Sequence, residues 1–109
     1  MEIKEIKRNE DGITAALSGR LDTLTAAEFT AAVDKWLADG DVKVCGIDCS
    51  GLDYISSSGL RAILMLAKKL QSSGGSLRLA GLQESVHNVF TISGFDKIIP
   101  IVDQLDEPA

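Results

Sequence analysis

Ser56, Ser57 and Ser58, followed by Gly59, place three hydroxyls where an inferred strand and loop give way to a helix. Free backbone N–H groups and the positive end of the helix dipole favour an added negative charge there. A phosphoryl group on one of these serines would be stabilised locally. Serine is also a preferred helix cap, so one hydroxyl can equally serve the helix while its neighbours shape the turn. A hydrolytic role would need a base: Ser57 with His87 and a nearby Asp makes a triad on paper. The Gly-x-Ser-x-Gly elbow is absent, however, and His87 falls beside Val86 inside a predicted helix, where a surface or capping role suits it. With no Gly-x-x-x-x-Gly-Lys loop and no glycine-rich dinucleotide fingerprint, the chain reads as a non-enzyme without a cofactor.

Cys45 and Cys49 lie in a segment that reads as a strand. At ~3.3 Å per residue their Cα atoms stand roughly 13 Å apart, beyond the ~7 Å reach of a disulfide. Buried thiols are expected. A metal pair is disfavoured, because the spacing is not CxxC and His87 is the single histidine.

The elements that hold these groups follow from periodicity. Residues 2–7 can form a strand, although Ile3 and Ile6 do not share a face. Asp11-Gly12 marks a turn, and Ile13, Ala15 and Leu17 then alternate as a second strand. Thr25-Ala26-Ala27-Glu28 has the form of a capping box, with Leu24 and Phe29 as the hydrophobic staple. Phe29, Ala32, Val33, Trp36 and Leu37 fall on one helical face, and Gly40 is placed to stop that helix.

Val42 to Cys49 is a short apolar run suited to a central strand, and residues 48–55 read as a turn-rich connection. From about Ser58 to Ser72, Leu60, Ile63, Leu64, Ala67 and Leu70 mark a second helical face, closed by Ser73-Gly74-Gly75. Leu77 and Leu79 alternate as a strand. A third helix over Glu84 to Ser93 buries Val86, Val89 and Phe90, and Ile98 to Val102 is a last strand, with Pro100 marking a sheet edge.

The resulting order, β-β-α-β-α-β-α-β, implies an α/β fold with a mixed, mostly parallel sheet and packed helices. Burial is expected at Leu17, Phe29, Val33, Val44, Ile47, Ile63, Leu64, Leu79, Val89 and Phe90. The tail 106–109 reads as a frayed end.

Composition narrows the class. A chain of 109 residues, 45% hydrophobic and 25% charged, suits a single domain over 1–109. The net charge of −5 argues against direct nucleic-acid binding. The few aromatics (Phe29, Trp36, Tyr54, Phe90 and Phe95) offer no stacking platform for bases. No apolar run nears the ~18 residues of a membrane span, and the first residues lack a signal-peptide stretch, so no membrane insertion and a cytoplasmic location are expected.

Asp48-Cys49-Ser50-Gly51-Leu52-Asp53-Tyr54-Ile55-Ser56-Ser57-Ser58-Gly59-Leu60 resembles the signature of the STAS domain family, the bacterial anti-sigma factor antagonists. Leu17-Ser18-Gly19-Arg20-Leu21-Asp22 is similar to that family's second strand and following loop, and Ser93 to Ile101 to its last helix end and strand. The resemblance spans essentially the whole chain. It implies partner switching: binding to a serine kinase that doubles as an anti-sigma factor, loss of binding on serine phosphorylation, and reversal by a metal-dependent serine phosphatase.

Carried over by position, the acceptor is Ser57. Ser56 stands where the family commonly has Asp, which makes Ser56 the second choice. The partner surface implied comprises Asp22, Thr23 and Leu24, then Tyr54, Ser56, Ser58 and Gly59, and on the next helix Arg61 and Lys68. Asp22 and Asp53 either flank the acceptor or are solvated loop carboxylates, and Leu24 and Tyr54 can equally be core-edge residues. Related STAS domains also serve as modules of anion transporters or sensory assemblies, so docking on such a protein, or sensing of a ligand, is the alternative role.

Overall fold

The computed structural model describes residues 1–8, 12–38 and 42–105. Strands β1 (Glu2–Arg8) and β2 (Gly12–Leu21) precede helix α1 (Ala26–Ala38). Then come β3 (Val44–Ile55), α2 (Ser57–Ser72), β4 (Ser76–Ala80), α3 (Glu84–Ser93) and β5 (Ile101–Val102). The sheet runs β1-β2-β3-β4-β5, with β1 antiparallel to β2 and every other pair parallel. The expected mixed α/β order is therefore the one observed. Asp11 of the proposed turn, Gly40 as helix stop and the tail 106–109 lie outside the described residues.

A single apolar cluster holds the layers together. Ile13, Ala15 and Leu17 of β2, Ile47 of β3 and Leu79 of β4 point to one face, where they meet Phe29 and Val33 of α1, Ile63 and Leu70 of α2, and Phe90 of α3. The opposite face carries half-buried Thr14, Ala16 and Asp48 and exposed Arg78, with Leu105 lying across Gly46.

Several local expectations are corrected. The strand through the cysteines does not stop at Cys49 but continues to Ile55, because residues 51–55 pair with Ser18 to Leu21 of β2. Two register shifts in that ladder, between Ala16 and Ser18 and between Gly19 and Arg20, break the alternation and disguise the strand as a turn. Val44 is 45% exposed rather than buried, being the first residue of its strand. On α2 the inner face takes Leu66 in place of Leu64, which is half-buried, and Val89 on α3 is also half-buried.

The last strand is shorter than Ile98 to Val102. Gly94, at φ +80°, ends α3 in the left-handed region, and a 3-10 turn over Phe95–Lys97 follows. Ile98 and Ile99 donate back to Phe95 at 3.0 and 2.9 Å, so neither extends β5, which is an edge strand as Pro100 implied.

Cys45 and Cys49 are free and buried on the core side of β3. Burial pushes both thiols from the ordinary 9.0 up to about 12, with the Asp48 carboxylate adding to the effect at Cys49. Native protein at pH 8 is expected to resist Ellman's reagent, with both thiols reacting once denaturant is added. The raised folded pKa also sets a sign. The contribution to stability is intact below the ordinary 9.0 and is lost as pH rises toward about 12, because the unfolded thiols ionise first. Urea midpoints should fall across that window with a slope of about 1.4 kcal/mol per pH unit per thiol.

Candidate functional site

Beyond Asp48, β3 has left β4 behind, and beyond Ser18, β2 has left β1 behind. The ends of β2 and β3 therefore project as a two-stranded overhang, with Arg20 opposite Tyr54 and Leu21 opposite Ile55. The two chain segments that leave this overhang build the site. One is the β2–α1 loop with Asp22, Thr23 and Leu24; the other is the first turn of α2.

The two segments are joined through Leu21. Its carbonyl accepts from Ser56 N at 2.9 Å. Gly59 passes so close that a Cβ there would lie 2.5 Å from the same oxygen, so glycine is the residue that lets the helix seat. Outside this seam, Thr23 Oγ1 donates to Ser58 Oγ at 3.3 Å, linking the loop directly to the helix.

Ser56 is the N-cap of α2: it is extended, at φ −92° and ψ 173°, and its hydroxyl oxygen accepts from Gly59 N at 3.1 Å. That satisfies one of the orphan donors of the first turn. Ser56 is half-buried, whereas Ser57, the first helical residue, is exposed and Ser58 is half-buried. Of the three serines, Ser57 is thus the most exposed. Sequence reasoning placed the helix start at about Ser58; the cap geometry puts it at Ser57.

The capping box expected at Thr25 and Glu28 does not form. The Asp22 side chain closes the start of α1 instead, Oδ1 accepting from Leu24 N at 3.0 Å and from Thr25 N at 3.1 Å, while Ala26 N donates to Asp22 O at 2.8 Å. Thr25 turns its hydroxyl inward, accepting from Asp22 N and donating to Arg20 O, both at 2.8 Å. Asp22 is therefore a structural cap as well as a surface carboxylate. The Thr25 amide above all, with the Thr25 hydroxyl, the Leu24 amide and the Arg20 guanidinium, holds its carboxyl below the usual range. Leu24 is 85% exposed and makes no staple with Phe29, which is buried in the core.

Arg20 was not singled out by the motif reading. Its guanidinium lies 4.0 Å from the Tyr54 ring centroid, and Nε sits 3.7 Å from Asp22 Oδ2. The signal available in sequence was weak, because only the parallel register puts Arg20 beside Tyr54. Tyr54 is 40% exposed under that cation, and Asp53 next to it is also exposed.

On α2, the helical repeat carries one outer line through Ser57, Arg61, Met65 and Lys68. All four are exposed, and Arg61 and Lys68 make no hydrogen bond or ion pair among the described residues. Lys69, one position off that line, is held by Asp34 of α1 at 3.0 Å. His87 lies exposed on α3, with no hydrogen bond to Ser57. Among the described residues no group of His, Cys, Asp and Glu is placed to hold a metal ion, and no helix is long and apolar enough to cross a membrane.

The sequence profile of the STAS domain matches residues 3–107. A candidate anti-sigma factor antagonist of Bordetella bronchiseptica, BtrV, is 40% identical over 101 residues, covering 89% of this chain and 83% of that protein. The anti-sigma-B factor antagonist of Bacillus subtilis is 31% identical over 98 residues, covering 89% of this chain and 87% of its own. The unphosphorylated form of the anti-sigma factor antagonist SpoIIAA superposes with a TM-score of 0.84 at 20% identity, over 96% of this chain and 90% of that one.

The cap assigned to Ser56 has a direct test. Ser56→Ala should lower stability by about 1 kcal/mol in urea denaturation, while Ser56→Asp, which keeps an acceptor for Gly59 N, should restore it.

Proposed function

The chain belongs to the STAS domain family, and from that premise we propose that it is an anti-sigma factor antagonist working by partner switching. In this reading it acts by binding rather than by catalysis. Its unmodified surface engages a serine kinase that is also an anti-sigma factor, transcription is regulated indirectly, and phosphorylation of Ser57 releases the complex. A serine phosphatase restores the binding form.

The observation that carries this reading is the contrast between two adjacent hydroxyls. Ser57 is exposed at the first position of α2, whereas the Ser56 hydroxyl already accepts from Gly59 N. Two further features support it. Exposed Leu24 on the β2–α1 loop, Tyr54 at the end of β3 and Met65 on α2 offer apolar area suited to a partner. Gly59 and the Thr23–Ser58 hydrogen bond fix the loop and the helix relative to each other, so the surface is preorganised.

The physics of the switch separates folding from binding. A phosphate carries about −1.5 to −2 charges at neutral pH. At the first turn of a helix it favours the fold by only ~0.3 to 1 kcal/mol. At an interface the same group must be desolvated beside Asp22 and Asp53, and like-charge juxtaposition there costs several kcal/mol. A fall in affinity of roughly a hundredfold, about 2.7 kcal/mol, follows.

Incubation with the cognate kinase and ATP should label Ser57 in phosphopeptide mapping. Label on Ser56 alone would move the acceptor, and absence of label would leave a constitutive binding module. Ser57→Ala should bind the kinase without being modified. Ser57→Asp should fold normally, by circular dichroism and urea midpoint, yet bind about a hundredfold more weakly in calorimetry. Arg61→Glu, on the outer line of α2, should weaken the same complex with little change in the urea midpoint; unchanged affinity removes Arg61 from the interface.

A further inference from the structure

We propose that Arg61 is the internal counter-ion of phosphorylated Ser57, so that one modification adds a charge to the partner face and withdraws a cation from it. The inference rests on the reading of Ser57 as acceptor and concerns what the phosphate does once attached.

Ser57 and Arg61 stand one turn apart on the exposed side of α2. Residues at this spacing have Cβ atoms about 5–6 Å apart, and an anion placed N-terminal to its cation is the favourable order. A phosphoserine extends further from the backbone than a carboxylate on a shorter stem. The planar guanidinium fork of arginine matches two of its oxygens.

The neighbouring cations are otherwise committed. Arg20 is stacked on Tyr54 at 4.0 Å and lies 3.7 Å from Asp22, and Lys69 is bound to Asp34 at 3.0 Å. Lys68 lies three turns along the helix from Ser57, roughly 16 Å at 1.5 Å per residue. Arg61 makes no hydrogen bond or ion pair among the described residues, and α2 contains no carboxylate to compete for it. Of the acids on the segments that build the site, Asp22 already accepts from Leu24 and Thr25, and Asp53 is exposed.

The modification itself balances with a nucleoside triphosphate as donor. Ser57 Oγ forms a bond to the γ-phosphorus, and the bond from that phosphorus to the β–γ bridging oxygen breaks. The hydroxyl proton passes to a base of the kinase, and nucleoside diphosphate leaves. Arg61 takes no part in this transfer. It meets the product, and its guanidinium then faces the phosphate instead of the partner.

The test uses the full chain with phosphoserine installed at position 57 during translation, followed by ³¹P NMR titration of its second ionisation, ordinarily near pH ~6. Arg61→Gln should raise that pKa by about 0.3 unit, the equivalent of an exposed i,i+4 ion pair. Arg61→Lys should recover most of the difference, and about 1 M salt should close it. Identical titrations of the wild-type and Arg61→Gln chains overturn the proposal, as does a rise that lysine fails to reverse. Because no kinase is needed, labelling of Ser56 in the kinase experiment would remove the acceptor assignment without altering this measurement.

Discussion

The site depends on how closely the first turn of α2 approaches the end of β2. Leu21 is the point of contact: its carbonyl takes the Ser56 amide, and its backbone leaves room at Gly59 for a hydrogen atom and no more. Any larger residue at 59 would push the helix outward, because its Cβ would meet the Leu21 carbonyl oxygen and the Cγ of the same buried side chain. Ser56 would then lose its place as cap, and Ser58 its contact with Thr23. The exposure of Ser57 is thus set between tight packing at Ser56 and at Gly59.

Much of this arrangement was legible in the residues. The apolar stripes placed all three helices and the order of elements along the chain, because amphipathic periodicity over a dozen residues is a strong signal. What escaped was set by tertiary contact. The continuation of β3 through Ser50-Gly51-Leu52-Asp53 reads as loop because those residue types favour turns, yet they are held by the β2 ladder across two bulges. Thr25 and Glu28 have the spacing of a capping box, but Asp22 captured the same amides first and diverted the Thr25 hydroxyl to Arg20 O. The Arg20–Tyr54 stack was invisible for the same reason, since only parallel register brings those two side chains together.

The distribution of charge gives the molecule two unlike sides. The chain as a whole carries −5, whereas the outer line of α2 presents Arg61 and Lys68 around exposed Met65 with no acid on the helix. In the proposed role, these cations beside exposed Met65 would steer an acidic partner surface, at a rate that falls with ionic strength. Asp22 and exposed Asp53 belong to the β2–α1 loop and the end of β3, the segments next to the first turn of α2. A partner in that role would meet cations along α2 and carboxylates near its first turn, a pattern that favours one docking orientation over its reverse.

The overhang formed by β2 and β3 has its own thermodynamic consequence. Residues 19–21 and 52–55 pair only with each other, while the middle of each strand is flanked on both sides. Hydrogen bonds at such a ribbon open by local fluctuation at a lower free energy than the global transition. Amides near Arg20 and Tyr54 would then exchange with solvent well before those at Ala15 and Ile47. If the proposed function holds, a bound partner would be felt as slowed exchange in this ribbon while the sheet beneath it kept its original protection.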